Sequence, residues 1–173
     1  MATSKVDLDY SRVLHVAPEP ELEKFLVAQS DDYLSIDLYV DNVMAKMDIT
    51  DLDLPDDSKT LVWISHVLEH VERDDLAISE IYRVLCSSGI AFVQIPVWRE
   101  KTYEDFAVQS ETERLRVFYQ PDHVRLYGLD VKERFERVGF DVSVVRAQDF
   151  GPDLIQYGLS FASTNEVFIL KKP

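Results

Sequence analysis

The stretch that decides the fold runs from residue 60 to 97 and reads TLVWIS, then HVLEHVERDDLAISEIYRVLCSSG, then IAFVQIPV. Its first and last parts are rich in β-branched and other apolar residues, which is typical of strands buried inside a sheet. Between them, apolar residues recur at the spacing of one helical face: Ile78, Ile81, Tyr82 and Leu85. Asp74 is expected to cap the start of this helix. The stretch therefore predicts strand, helix and strand, the repeating unit of an α/β fold.

Strands and helices alternate on both sides of this stretch. Apolar runs predict strands over 13–17, 33–38, 43–47, 140–147 and 166–171, and helical patterns cover 21–28 and 130–138. Asp130 and Glu133 resemble a capping box at the start of the last helix, and Gly139 follows its end. With right-handed crossovers these elements form one open, doubly wound sheet.

The charge and the cysteine content of the chain exclude several kinds of partner and site. The chain has 173 residues, with 18 basic and 32 acidic side chains and a net charge of −14. Such a surface repels nucleic-acid backbones and anionic membranes, so neither is an expected partner. The single cysteine, Cys86, excludes an intramolecular disulfide and any multi-cysteine zinc site. Because the N-terminus lacks the apolar core of a signal peptide, a cytoplasmic location is predicted.

Several polar residues follow the predicted strands directly. Glu19 comes after the first strand, Asp37 ends the second, and Ser65 and His66 follow the fourth. In doubly wound sheets the ligand crevice lies beyond the carboxyl ends of the strands. One crevice is therefore expected to be lined by all four.

The HVLEHV segment at 66–71, the EIYRVL segment at 80–85 and the glycine at 89 together resemble class I S-adenosylmethionine-dependent methyltransferases. The later segment QPDHVRLYG at 120–128 resembles a motif of one bacterial subgroup. The resemblance spans residues 13–171. It implies a three-layer, Rossmann-like, mostly parallel seven-stranded sheet with an antiparallel C-terminal strand. It also implies S-adenosylmethionine as cofactor and S-adenosylhomocysteine as product, with a small molecule as methyl acceptor.

The resemblance implies two contacts with the nucleoside of the cofactor. Asp37, beside Leu38, ends the second strand about 20 residues after the first turn, where a carboxylate accepts hydrogen bonds from a ribose diol. Asp48 and Ile49 match the family position that meets the adenine. For Asp37 the alternative interpretation is a strand-end turn, and for Asp48 it is a solvated acidic loop.

The turn after the first strand departs from the family pattern. It reads Ala17, Pro18 and Glu19 where relatives carry glycines that let the backbone approach the cofactor. Proline removes a backbone donor, and Glu19 would repel the carboxylate of the methionine part of the cofactor while attracting its ammonium group. These three residues, with Ser65 and His66, complete the predicted cofactor site.

His123 is the first candidate for a general base, because a histidine titrates near neutral pH. It lies in a charged, aromatic segment with Asp122, Arg125 and Tyr127, and Asp122 and Tyr127 join it in the predicted catalytic set. Arg125 is expected to clamp an acidic group of the substrate. The alternative interpretation is a structural network that holds this segment in place.

The whole chain, 1–173, is predicted to form one domain, with 98–129 as an insertion or lid. Twelve residues precede the first strand, where many relatives of the resembled family place helices that cover the cofactor. The cover is therefore expected from 98–129, from a second copy in a homo-oligomer, or from an N-terminal segment absent from this sequence.

Two rival functions remain open at this stage. The first is a non-catalytic binding module that kept the fold and lost the cofactor, because the glycine-rich turn is missing. The second is a zinc hydrolase, since His66, Glu69 and His70 match the H-x-x-E-H pattern and would share a helix face. Glu133 or Glu136 would supply its third ligand. The favoured prediction contains no metal.

Overall fold

The computed structural model describes residues 7–146, 149 and 165–173. The elements in this part of the chain are β1 (Arg12–Val16), α1 (Pro20–Gln29), β2 (Asp32–Asp37), β3 (Ala45–Lys46), β4 (Lys59–Ser65), α2 (Asp74–Val84), β5 (Leu85–Arg99), β6 (Tyr103–Glu104), α3 (Glu111–Phe118), β7 (Arg125–Gly128), α4 (Val131–Val138), β8 (Asp141–Val145) and β9 (Asn165–Lys171). The predicted alternation of strands and helices is confirmed. The last residue predicted for β8, Ala147, lies outside the described residues.

A mostly parallel sheet forms the centre of the molecule. Strands β3, β2, β1, β4 and β5 are parallel neighbours in that order. Strand β9 runs antiparallel between β5 and β8. The predicted seven-stranded sheet with an antiparallel C-terminal strand is therefore confirmed.

Helices cover both faces of the sheet and complete three layers. On one face, Leu26 of α1 packs with Val13, Leu61 and Ile90. On the other face, α2 and α4 bury their apolar stripes against the sheet in a larger core. Within the described residues, no helix is long and apolar enough to cross a membrane.

Two short strands in the segment 98–129 were not predicted from the sequence. The end of β5 continues past β9 and pairs with β7 through Val97 and Arg99. Strand β6 then pairs antiparallel with β7. With α3 between them, these strands form a small subassembly beyond the carboxyl edge of the main sheet.

Neither of the two predicted side-chain caps forms. The N-cap of α2 is Arg73, and Asp74 is the first residue of the helix. The Asp74 carboxylate instead accepts hydrogen bonds from Tyr127 and Arg134, each at 2.7 Å. Asp130 holds the N-cap position of α4 but makes no side-chain cap. Both carboxylates are committed to long-range contacts, which is why local capping patterns failed here.

Candidate active site

A cavity of about 630 Å³ opens at the carboxyl ends of β1, β2 and β4. This volume is in the range of sites for small organic ligands and cofactors. Its lining on the sheet side is Val16, Ala17, Asp37, Leu38, Tyr39, Met47, Asp48, Ile49, Thr50, His66 and Val67. Its opposite lining is His70, Val71, Glu72, Arg73, Arg114, Asp122 and Val124. The crevice predicted from the strand ends is therefore present.

Left-handed backbone conformations shape the floor of this cavity. Ala17 has a φ of 51° and His66 a φ of 53°, at the ends of the neighbouring strands β1 and β4. The Ala17 amide donates to the carbonyl of Ile36 at 2.9 Å, and the His66 amide donates to that of Gln94 at 3.0 Å. These bonds keep both residues against the sheet where the chain turns away from it. Both residues line the cavity, as predicted.

Three residues of the predicted cofactor set do not line the cavity: Pro18, Glu19 and Ser65. The buried His15 donates from Nε2 to the Glu19 carboxylate at 2.9 Å. Burial alone would raise the pKa of Glu19, but hydrogen bonds from His15 and Ser65 outweigh it and lower that pKa. Since β1 and β4 are neighbours, their polar side chains bind one another. Glu19 is thus engaged by the protein itself.

Asp37 lines the cavity at the end of β2. Its Oδ1 atom accepts from the amides of Tyr39 and Val40, at 2.7 and 2.8 Å. Its Oδ2 atom has no hydrogen bond to the described residues. One carboxylate thus supports the strand-end turn and keeps an oxygen for a ligand. The turn and the ribose interpretations are compatible, and the neighbouring Leu38 also lines the cavity.

The loop that carries Asp48 and Ile49 also lines the cavity. The Oδ1 atom of Asp48 accepts from the amide and the hydroxyl of Thr50, at 2.8 and 2.7 Å. This turn keeps Ile49 buried beneath an exposed carboxylate.

Two residues of α2 hold that loop from behind. Glu80 accepts from the amide of Leu52 at 2.8 Å, and Arg83 donates to the carbonyls of Leu52 and Leu54 at 2.8 and 2.7 Å. Glu80 and Arg83 were not among the site residues predicted from the sequence. The sequence feature that could have pointed to them is the pair of opposite charges three residues apart on α2. In the structure Arg83 binds Glu80 and lowers the pKa of that carboxyl.

Of the predicted catalytic residues, Asp122 reaches the cavity, whereas His123 and Tyr127 do not line it. His123 is 2% exposed, and burial together with the nearby His70 lowers its pKa. Tyr127 is 0% exposed and donates to Asp74. The geometry supports a structural contact for Tyr127, and its catalytic role stays a prediction without support here.

Arg125 fastens the segment 98–129 to the loop after β4. Its buried guanidinium donates to the carbonyls of Leu68, Val71 and Glu72, and to Glu104 at 2.5 Å. These acceptors are internal, so Arg125 is not available to clamp a substrate. Arg125 therefore fits the alternative interpretation, a structural network that holds this segment in place.

The sequence profile of a family described as a methyltransferase domain matches residues 6–93, just over half of the chain. The chain belongs to the methyltransferase-domain family. This methyltransferase domain has no match among proteins of curated function.

Solved structures show the same fold at low sequence identity. The YcgJ protein of Bacillus subtilis has a TM-score of 0.67 at 13% identity, over 94% of this chain and 92% of that one. An S-adenosylmethionine-dependent methyltransferase of Mesorhizobium loti has a TM-score of 0.65 at 12% identity, covering 93% and 90% of the two chains. A phosphoethanolamine N-methyltransferase of Haemonchus contortus, solved with S-adenosylhomocysteine, has a TM-score of 0.64 at 15% identity and covers 98% and 51%.

S-adenosylmethionine is the cofactor of this class I methyltransferase domain, and the residues present fit it. The unshared Asp37 oxygen suits a ribose hydroxyl. Ile49 supplies an apolar wall for the adenine, beside Asp48. Ala17 takes the left-handed conformation that glycine usually adopts at such a turn, so the missing glycines do not close the cavity.

The H-x-x-E-H pattern does not form the predicted helical face. Leu68–His70 is a single 3₁₀ turn, and His66 precedes it in the left-handed conformation. The Nδ1 atom of His66 donates to Glu69 at 3.2 Å, which raises the pKa of His66. Glu136, a proposed third ligand on α4, pairs with Lys132. Among the described residues, neither Glu133 nor Glu136 joins His66, Glu69 and His70 in a group of metal-ligand atoms, so the set predicted for a zinc hydrolase is not assembled.

Proposed function

We propose that this domain transfers a methyl group from S-adenosylmethionine to a small-molecule acceptor. The observation that carries the proposal is one continuous cavity shared by two sets of residues. Asp37, Asp48 and Ile49 line its cofactor side. Arg114 and Asp122, from the segment 98–129, line the side left for an acceptor. One space that holds both reactants favours direct transfer.

The charge of the chain and the cavity wall favour a small, polar acceptor. A net charge of −14 disfavours nucleic acid. Arg73 and Arg114 reach the cavity paired with Asp75 and Glu72, while His70 and Asp122 add further hydrogen-bonding groups. An acceptor with polar groups beside its nucleophilic oxygen or nitrogen matches this lining. A cytoplasmic location remains a prediction from the sequence.

When bound, S-adenosylmethionine supplies an electrophilic methyl group whose carbon–sulfur electron pair returns to sulfur on transfer. The acceptor forms the new bond with its own lone pair and releases a proton. Asp122 is the predicted catalytic residue that lines the cavity, and we assign proton acceptance to its carboxylate. His123 lies behind the wall and takes no direct part.

Calorimetric titration with S-adenosylhomocysteine tests the cofactor half of the proposal. Asp37→Asn keeps an oxygen for the turn amides and removes the charge, so affinity is expected to fall about 10- to 100-fold. Asp53→Asn, the same change on the nearby exposed acidic loop, serves as the matched control. Unchanged affinity in Asp37→Asn contradicts the ribose assignment.

Formation of S-adenosylhomocysteine from S-adenosylmethionine tests the catalytic half. The acceptors to screen are small phenols, amines, carboxylates and phosphorylated compounds. Asp122→Asn is expected to lower turnover and leave S-adenosylhomocysteine affinity unchanged. Tight cofactor binding without turnover on any acceptor class favours the rival function, a binding module that has lost catalysis.

A further inference from the structure

A cluster of three side chains that can bind a metal lies at the acceptor side of the cavity. Glu69, His70 and His123 each offer a ligand atom, and these atoms all lie within 4.8 Å of one another. We propose that these three residues bind a divalent transition-metal ion, with Zn²⁺ as the first candidate. The site is independent of the proposed methyl transfer.

Buried polar atoms without partners are the main support. Glu69 is 1% exposed and His123 is 2% exposed. Glu69 Oε2 and His123 Nδ1 have no hydrogen-bond partner among the described residues. A buried carboxylate oxygen and a buried imidazole nitrogen are costly when unpaired. A cation between them would satisfy both.

Arg125 does not bind the Glu69 carboxylate. Its guanidinium is bound to Glu104 and to backbone carbonyls, including that of the neighbouring Leu68. His66 engages the other oxygen of Glu69, Oε1, at 3.2 Å. Oε2 therefore remains available for a metal ion.

Neighbouring side chains provide the outer contacts that metal sites usually have. His66 orients the Glu69 carboxylate through Oε1. Asp122 Oδ2 lies 3.3 Å from Nδ1 of His70, and a carboxylate beside a histidine ligand is common in zinc sites. The Val124 amide donates to the Glu69 carbonyl at 3.0 Å, which holds the backbone next to His123 against the backbone of Glu69.

Ligand chemistry selects the class of ion. Two imidazoles and one carboxylate suit Zn²⁺, Fe²⁺ or Co²⁺, whereas Mg²⁺ and Ca²⁺ prefer oxygen ligands. Zinc bonds of about 2.1 Å place tetrahedral ligands roughly 3.4 Å apart. Because the donor atoms lie within 4.8 Å of one another, metal binding would draw any two of them together by about 1.4 Å at most. The ion would join the loop after β4, which carries Glu69 and His70, to the chain before β7, which carries His123.

The test is calorimetric titration of tag-free, chelator-treated protein with Zn²⁺, in excess Mg²⁺ to occupy the acidic surface. One Zn²⁺ per chain is expected. Glu69→Gln and His123→Asn should each weaken binding by at least about 100-fold, and His66→Gln, an outer contact, by about 10- to 100-fold. His15→Gln, a buried histidine elsewhere in the chain, is the matched control and should bind as the parent does.

Thermal unfolding gives a second readout that needs no activity. Zn²⁺ at a hundredfold excess over Kd should raise the Tm of the parent by about 5–10 °C. His70→Asn, at a partly exposed position, keeps the test valid if the His123 variant does not fold. In the folded variants this Tm increase should be lost.

Two results would overturn the proposal. Absence of Zn²⁺ binding to well-folded parent protein would mean that water satisfies the buried atoms. Binding that survives all three ligand substitutions would place the ion on surface carboxylates. Neither result affects S-adenosylhomocysteine affinity, which is measured on the same preparations, so failure of this proposal is distinguishable from failure of the proposed function.

Discussion

Replacing Arg125 with methionine removes the guanidinium that joins β7 to the loop after β4 and keeps most of the apolar stem. Four hydrogen-bond acceptors lose the Arg125 donor, and two of them keep another donor. The Leu68 carbonyl keeps the Tyr127 hydroxyl, at 3.3 Å, and Glu104 keeps Arg134, at 3.0 Å. The remaining two acceptors, the carbonyls of Val71 and Glu72, have no other hydrogen bond to the described residues and are left unpaired.

The expected loss follows from these contacts. Two unpaired carbonyls cost about 1 kcal/mol each at the lower end of the usual range, and the two other lost hydrogen bonds contribute about 1 kcal/mol each. The free energy of unfolding should therefore fall by about 4 kcal/mol, a large part of the roughly 5–15 kcal/mol of an ordinary domain. The corresponding fall in Tm is about 10 °C.

Urea unfolding followed by tryptophan fluorescence measures this loss, with an unchanged m value as evidence that the same transition is observed. Arg125→Lys keeps the charge without the planar fork and should fall between the parent and Arg125→Met. Arg116→Gln, at an exposed position on α3, is the matched control and should leave the midpoint unchanged. A loss below about 1 kcal/mol in Arg125→Met would refute the reasoning.

Two further predictions concern the same subassembly. In Gly128→Ala the new Cβ would lie 2.3 Å from the Lys101 backbone, so the strand must move and stability should fall by about 1–3 kcal/mol in urea unfolding. An unchanged midpoint would contradict this contact. Burial raises the pKa of Glu104, but Arg134 and Arg125 outweigh it and hold that pKa below 4.5. Its contribution is complete above pH 4.5 and is lost as pH falls through the lower folded-state value. The stabilities of parent and Glu104→Gln should therefore converge in thermal unfolding below pH 4.5, and a constant difference would disprove the assignment.

Local patterns predicted the main sheet and its helices well, because a buried strand and a one-sided helix differ in the spacing of their apolar residues. They also placed Asp37 and His66 in one crevice, since parallel strands end at one edge, whereas Ile49 came from the resemblance to the family. The same reasoning missed β6 and β7, which are too short to show a period.

The sequence by itself therefore determined the α/β order, the family and most of the cofactor side of the cavity. Tertiary structure alone decided how the segment 98–129 lines part of that cavity. Arg125 binds Leu68, which is 57 residues away in the chain, and His123 meets Glu69 and His70 across a similar gap. Periodicity reports which way a side chain faces within its own element. Which distant side chains share a buried space depends on how the elements pack. Of the predicted catalytic set, that packing buries His123 and Tyr127 and leaves the Asp122 carboxylate at the cavity.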